Sequence, residues 1–169
     1  MSKPFWVEHL EGRIGWSEFD HDRQIAKDWP LCGLSYKTVI GTTHAWCGLA
    51  CEIALHSGGL KGPHGSAGAA SWAKFGEPCS YICGAFLPIR HKSGGHHITV
   101  FLYWVDKDKR LAACLGGNQG DRYRVSTYNL SGNKAGHDEV VPGPRWPKGY
   151  PKTDFVYPHG KSEEGGSTR

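Results

Sequence analysis

The sequence predicts an α+β protein in which N-terminal helices pack on a central antiparallel β-sheet. Residues 1–77 contain short segments with a helical spacing of apolar residues, ended by glycine or proline. Residues 84–130 contain four segments rich in β-branched and aromatic residues, separated by turn residues. Helices followed by a run of strands are typical of the α+β class. A chain of 169 residues is long enough to bury one sizeable core.

Four short helices are expected in the first half of the chain. The clearest is "THAWCGLACEIALHSGG", where small and apolar residues recur at helical spacing. Thr42 or Thr43 is its candidate N-cap, and the Gly58-Gly59 pair is its stop. Pro30 is expected to end the helix before it. The four predicted helices cover residues 4–15, 21–29, 43–57 and 66–77.

Four strands are expected in the second half. They cover residues 84–90, 96–105, 110–117 and 123–130. The first contains Pro88, which has no backbone N–H to donate, so this strand is expected at a sheet edge.

The composition after Ser131 changes, and it sets the expected domain limits. The segment "VVPGPRWPKGYP" is rich in proline and glycine, and "KSEEGGSTR" has the composition of a disordered tail. We therefore expect a single domain over residues 1–150 and a flexible C-terminal extension over residues 151–169.

The composition also narrows the classes of protein. The mean hydropathy is −0.48, and no run approaches the ~20 apolar residues that span a membrane. The first residues lack the apolar core of a signal peptide, so we expect a chain made in the cytoplasm, without stable membrane insertion. Residues 86–132 contain seven Lys and Arg against three Asp and Glu. This basic segment suits an anionic polymer such as cell wall or nucleic acid, or is a solvated face; no nucleic-acid-binding motif accompanies it.

The six cysteines do not predict a disulfide framework or a zinc site. An even number is compatible with disulfides, but the chain is large enough to fold on its core. The pair Cys79 and Cys83 has no second pair of ligands at zinc spacing. Most of the cysteines are therefore expected to be small buried apolar residues.

Cys47 is the exception, because it stands in the first turn of the predicted third helix. The first turn has free backbone N–H groups and a partial positive charge, and both favour a thiolate. A nucleophilic thiolate also needs a histidine as base and a polar group that orients the imidazole. The position of Cys47 therefore suits a reactive cysteine, the alternative being a buried helix residue, and Cys51, one turn later, is expected to be a core residue or a disulfide partner.

Candidate partners lie at the ends of two neighbouring strands. His96 and His97 open the most hydrophobic strand, "HHITVFLYW", and alternation places one of them toward the helices. The next strand ends in "LGGNQG", where Asn118 is positioned to accept a hydrogen bond from an imidazole and fix its tautomer. Asn118 is equally suited to support the turn.

Several motifs together resemble a known group of proteins. The segments "AWCGLACEIALHSGGL", "GAFLPIRHKSGGHHITVFL" and "LGGNQG" stand in the same order as in small bacterial and phage cell-wall hydrolases. The chain resembles the CHAP and NlpC-type amidase and peptidase families, over most of its length. "RIGWSE" is similar to the stretch that precedes the catalytic helix there, and "PRWP" to the closing strand. The resemblance implies a papain-like core. One departure is Gly84-Ala85, where those families have Gly-Asp.

The resemblance also implies roles for individual residues. Cys47 matches the nucleophile, His97 matches the base better than His96, and Asn118 matches the orienting residue. Such a site forms a thioester between Cys47 and the acyl group and hydrolyses it, without a metal or an organic cofactor. The glutamate of "RIGWSE", Glu18, matches a family glutamate to which the sequence assigns no role.

The implied substrate is peptidoglycan, cut within the stem peptide or at the muramoyl–L-alanine link. The expected protein is a monomeric phage endolysin that reaches the wall through holin-type holes and has no nucleic-acid partner. The alternatives are an injected antibacterial amidase toxin, a phage tail component, and a cysteine acyltransferase or deamidase acting on protein. Two further alternatives are a non-catalytic wall-binding module and a zinc- or nucleic-acid-binding protein.

Overall fold

The computed structural model describes residues 2–35 and 45–158. Its helices are mostly short, and within the described residues none is long and apolar enough to cross a membrane. The α-helices are α1 (Phe5–Glu11), α2 (Asp22–Ala26) and α3 (Cys47–His56). The 3-10 helices are η1 (Trp29–Cys32), η2 (Ala69–Lys74) and η3 (Asn133–Ala135).

The strands form an antiparallel sheet that follows the helices in the chain, as the sequence predicts for an α+β protein. The spatial order is β1-β7-β2-β3-β4-β5, and β6 also pairs with β2. The register pairs Leu87 with Thr99 between β2 and β3, and Leu115 with Val125 between β4 and β5. The strands are β1 (Glu77–Pro78), β2 (Phe86–Arg90), β3 (His96–Asp106), β4 (Leu111–Gly116), β5 (Arg124–Asn129), β6 (Glu139–Val140) and β7 (Arg145–Trp146).

The four long strands lie where the sequence predicts them, whereas the helices differ from the expectation in their limits and type. Helix α3 begins at Cys47 with Trp46 at the N-cap position, and the predicted caps Thr42 and Thr43 lie outside the described residues. The segment 66–77 forms only a 3-10 helix, η2. Pro30 does not stop an α-helix directly, since α2 ends at Ala26 and Pro30 lies inside η1.

Strand β2 lies inside the sheet, although Pro88 predicts an edge strand. On one side β2 pairs with β3 over its whole length. On the other side it pairs with β7 at Phe86 and with β6 from Ile89, so Pro88 falls in the gap between two short strands. A missing N–H therefore interrupts no ladder bond, and the Pro88 carbonyl still accepts from Val141 N–H at 2.9 Å.

The helices share one face of the sheet. The indole rings of Trp6 in α1 and Trp72 in η2 both pack against Phe86 of β2, with centroid distances of 5.8 and 5.2 Å. The start of α3 packs on the same face at Gly117, just beyond β4. Five tryptophan side chains are almost completely buried in this core: Trp6, Trp29, Trp46, Trp72 and Trp146.

All six cysteines are free thiols, and four of them are buried, as expected from the sequence. The buried ones are Cys47, Cys51, Cys83 and Cys114.

The described part of the C-terminal extension contacts the domain. Thr153 Oγ1 donates to the Ser2 carbonyl at 3.2 Å, and Lys152 forms an ion pair with Glu77 at 2.8 Å. Phe155 and Tyr157 pack against the hydrophobic core. Residues 159–169 lie outside the described residues, so the flexibility of the extension stays a prediction.

The contact between α3 and the sheet gives a first test of the fold. A methyl group at Gly117 would lie 2.5 Å from both the Ala50 Cβ and the Trp46 ring, so we expect Gly117→Ala to destabilise the protein by about 1–3 kcal/mol. For a chain of this size, that lowers Tm by roughly 2–12 °C in a thermal melt. Gly12→Ala is the control, because an added Cβ there comes no closer than 3.5 Å to a neighbour. Equal melting temperatures for the two variants would contradict the packing.

Candidate active site

The start of α3 is fixed by a buried tryptophan. Trp46 occupies the N-cap position, and its side chain is fully buried. Its indole N–H donates to the carboxylate of Glu18, and its ring lies 5.0 Å from that of Tyr123. Since Cys47 follows directly, these contacts set the position of the candidate nucleophile. Trp46 therefore packs beneath the start of the helix.

Glu18 reaches Trp46 because its segment is paired with the chain after the Gly-Gly-Asn-Gln turn. Glu18 N–H donates to the Asp121 carbonyl, and Gly15 N–H to the Tyr123 carbonyl, both at 3.0 Å. Tyr123 N–H in turn donates to Trp16 at 2.9 Å. The sequence assigned no role to Glu18. Its partner Trp46 lies 28 residues further along the chain, so no local sequence pattern indicates the contact.

The thiol of Cys47 lies at the junction of α3 and β3. The side chain is 1 % exposed, and this burial raises its pKa above the ordinary thiol value. The backbone N–H groups of Ile98, Gly48 and Cys47 itself act in the opposite direction, because each can hydrogen bond to a thiolate. Burial outweighs them, so the helix start does not lower the pKa as the sequence predicts.

Cys51 lies one turn further into α3, away from the helix start. It is completely buried, and burial raises its pKa well above that of an ordinary thiol. Its environment agrees with the expected role as a core residue.

The two faces of the sheet differ at the end of β4. A Cβ atom on Gly117 would meet Ala50 and Trp46, so this side faces α3. A Cβ atom on Gly116 would instead meet Thr99 Oγ1 at 2.9 Å, on the opposite side. Successive side chains of a strand point to opposite faces, so the two glycines identify the helix-covered face and the other face.

His96 and His97 therefore point to opposite faces. His97 shares the face of Thr99, and it is 5 % exposed. His96 shares the helix-covered face with Ile98, and its side chain is exposed. The expectation that one of them faces the helices holds, but the residue on that face is His96. Cys47 lies beside the Ile98 N–H, which is in the plane of the sheet near the end of the neighbouring strand β4.

His97 belongs to a buried polar cluster centred on Gln119. The Gln119 side chain is fully buried, and its Oε1 lies 3.1 Å from His97 Nε2. The same oxygen accepts from Thr99 Oγ1 at 2.7 Å and from the Tyr128 hydroxyl at 3.1 Å. The Gln119 amide nitrogen donates to the carbonyls of Cys114 and Arg124, at 3.2 and 2.7 Å.

This cluster determines the tautomer of His97. Two backbone carbonyls bind the Gln119 NH2 group, so its Oε1 must face His97. An oxygen that only accepts requires a hydrogen on Nε2, and a neutral imidazole then has its lone pair on Nδ1. His97 is thereby held in the form that accepts a proton at Nδ1.

The surroundings of His97 favour the neutral ring. Burial, as the largest cause, lowers its pKa to about 4, while the hydrogen bond with Gln119 acts in the opposite direction. His91, whose ring lies 6.1 Å away, lowers the pKa further, and Asp138 raises it. Asp138 also binds His91, with 3.2 Å between Oδ2 and Nδ1. At neutral pH the imidazole is therefore uncharged.

Asn118 occupies the turn and not the cluster. Its backbone has φ = 56°, a left-handed conformation that asparagine tolerates well. Among the described residues, the hydrogen bond recorded for the His97 ring goes to Gln119, the next residue. Sequence reasoning missed Gln119 as the orienting group, although it lies in the same tetrapeptide. A catalytic role of Asn118 stays a prediction.

The described residues contain no group of three or more His, Cys, Asp or Glu side chains that could hold a metal ion.

The low pKa of His97 predicts a pH-dependent stability. The folded value of about 4 lies below the ordinary 6.5, so the unfolded chain binds more protons between these values. The free energy of unfolding should fall by about 3 kcal/mol as the pH drops from 6.5 to 4, and rise again with pH. Denaturant titrations across this range should show a shallower dependence in His97→Gln.

His96→Gln is the matched control, because that side chain is exposed on the adjacent position. His9 also has a pKa lowered to about 4 by burial, and it contributes to the slope of every variant. Parallel slopes for wild type and His97→Gln would contradict the buried neutral ring.

Comparisons with known proteins found no matching family model, no matching curated protein and no matching solved structure. The functional interpretation of the site therefore rests on the motifs of the sequence and on the geometry of its own residues.

Proposed function

We propose that this protein is a cysteine amidase or peptidase of the CHAP/NlpC type, with a papain-like core, that hydrolyses an amide bond of peptidoglycan. The observation that carries the proposal is the neighbourhood of Cys47. Its thiol lies beside the N–H of Ile98, and the preceding residue, His97, is held by Gln119 in the tautomer of a base. The proposal assigns Cys47 as the nucleophile, His97 as the base and Gln119 as the orienting group.

The mechanism begins with both groups neutral. Cys47 Sγ loses its proton to His97 Nδ1 as the sulfur attacks the amide carbonyl carbon, because burial disfavours a resting ion pair. The resulting oxyanion is stabilised by backbone N–H groups at the start of α3, that of Cys47 first among them. The C–N bond then breaks, and the leaving amine takes the proton from His97.

The second half of the reaction releases the acyl group. His97 removes a proton from a water molecule, whose oxygen attacks the thioester carbon. The C–S bond breaks, and the proton returns to the sulfur. Gln119 keeps His97 in one orientation through both halves, because its oxygen is fixed by the bonds of its own amide nitrogen.

The substrate class rests on two features of the sequence. The ordered motifs around Cys47, His97 and the Gly-Gly-Asn-Gln turn resemble those of small wall hydrolases. The basic segment 86–132 suits an anionic polymer such as the cell wall. We propose a bacteriolytic, monomeric endolysin that reaches the wall through holin-type holes or, alternatively, by injection. A cysteine acyltransferase or deamidase acting on protein would use the same residues.

The first test incubates the protein with purified Gram-negative sacculi and identifies the released fragments by mass spectrometry. We expect Cys47→Ala to abolish release, and His97→Ala to lower the rate by about 10²–10⁴-fold. Cys51→Ala is the matched control, a thiol buried one turn away, and should keep most activity. An active Cys47→Ala protein with an inactive Cys51→Ala protein would contradict the assignment. If the wild type released no fragment, peptidoglycan would be rejected as the substrate, and protein substrates would be tested next.

The second test separates Gln119 from Asn118 by their effect on the pH profile of kcat/KM. A carboxylate beside His97 favours the imidazolium and raises its pKa, so the acid limb of the profile moves to higher pH. We expect this shift, of about one unit or more, in Gln119→Glu but not in Asn118→Asp.

Asn118→Gly completes this test, because glycine accepts the left-handed backbone without the side chain. It should retain activity if Asn118 only shapes the turn. A shifted limb in Asn118→Asp, together with an unshifted one in Gln119→Glu, would return the orienting role to Asn118.

A further inference from the structure

A small pocket lies on the helix-covered face beside His96. It has a volume of about 90 Å³ and is enclosed between η2 and strands β2 and β3. Three alanines of η2 form one wall, and His96 and Arg90 stand on the strand side. The apolar lining consists of Ala69, Ala70, Ala73, Pro88, Ile89 and Val141.

The pocket is close to the proposed nucleophile along two paths. Along β3, His96 and Ile98 are neighbours on one face, about 7 Å apart, and the Ile98 N–H lies beside the Cys47 thiol. Along the chain, η2 begins two residues after the Ser66–Ala67 segment. The carbonyl oxygens of that segment touch the backbone of Gly48, where an added Cβ would overlap with them. The pocket therefore lies close to the thiol, on the same side of the sheet.

The lining limits what the pocket accepts. A volume of about 90 Å³ is well below the roughly 300–1,000 Å³ of typical ligand pockets, which suits a short aliphatic side chain better than an aromatic one. Methyl groups and a proline ring offer no hydrogen bonds, so polar side chains lose their water without replacement. Arg90 is engaged by Glu139 at 2.7 Å, which leaves His96 as the polar group at the mouth.

We propose that this pocket binds the short aliphatic side chain, of the size of alanine or valine, of a residue adjacent to the amide bond that Cys47 attacks. His96 then contacts the backbone of the same residue and acts in substrate binding, on the face opposite to His97. That the bound residue is part of a substrate of Cys47 rests on the proposed function. The preference of the pocket for a short aliphatic side chain does not.

The experiment measures peptide binding without catalysis. The Cys47→Ala protein is titrated with N-acetylated, C-amidated Gly-X-Gly peptides, with X as glycine, alanine, valine or phenylalanine in both L and D series, and binding is followed by NMR. We expect at least one series to bind the alanine peptide about fourfold tighter than the glycine peptide, and the phenylalanine peptide no tighter than the glycine peptide. An Ala73→Leu substitution fills the pocket and should remove the preference for alanine over glycine.

Lys74→Leu is the matched control, because it adds the same side chain to an exposed position of η2 that does not line the pocket. The preference should survive there. Equal affinity for all peptides, or a preference that Ala73→Leu leaves intact, would overturn the proposal. The sacculus assay tests the proposed function separately. If Ala73→Leu removes the peptide preference but the wild type does not hydrolyse the wall, the pocket assignment stands and peptidoglycan is rejected as the substrate.

Discussion

The close approach of α3 to the sheet at Gly117 is the contact on which the candidate site depends. Trp46 and Ala50 lie where a side chain of residue 117 would stand, so only a glycine allows the first turn of the helix to come this near. Glu18 holds Trp46 from the other side. The register of β3 and β4 places Gly117 opposite Ile98, one residue beyond the end of β4. The Cys47 thiol therefore lies beside the Ile98 N–H, at a position of β3 beyond the last residue of β4.

Gln119 plays the corresponding role on the other face. Its buried amide connects three strands, since its partners lie on β3, β4 and β5. Both ends of the amide are satisfied, so no orientation other than the observed one keeps all its hydrogen bonds. A fully satisfied network in a buried site is rigid, and a rigid Gln119 imposes one tautomer on His97.

Burial shapes the reactivity more strongly than the helix end does. A helix N-terminus favours a thiolate by a partial charge that acts over its first turn. Burial removes water from the full negative charge of the thiolate and so raises the pKa of the thiol. In Cys47 this effect is larger than that of the backbone N–H groups. The same reasoning holds for His97, whose pKa falls although Gln119 favours its charged form. The chemistry proposed here therefore starts from a neutral pair.

The sequence by itself determined the order of helices and strands, the position of Cys47 at a helix start and the chain segments that form the site. These are local properties, because periodicity, turn residues and helix ends depend on a few neighbouring residues. Only the tertiary structure decided that β2 lies inside the sheet, that His96 rather than His97 faces the helices, and that Gln119 rather than Asn118 binds the imidazole. Each of these outcomes depends on a one-residue offset or on a partner far away in the chain. A one-residue offset turns a side chain to the other face of a strand or turn, and no local pattern records which face a distant helix covers.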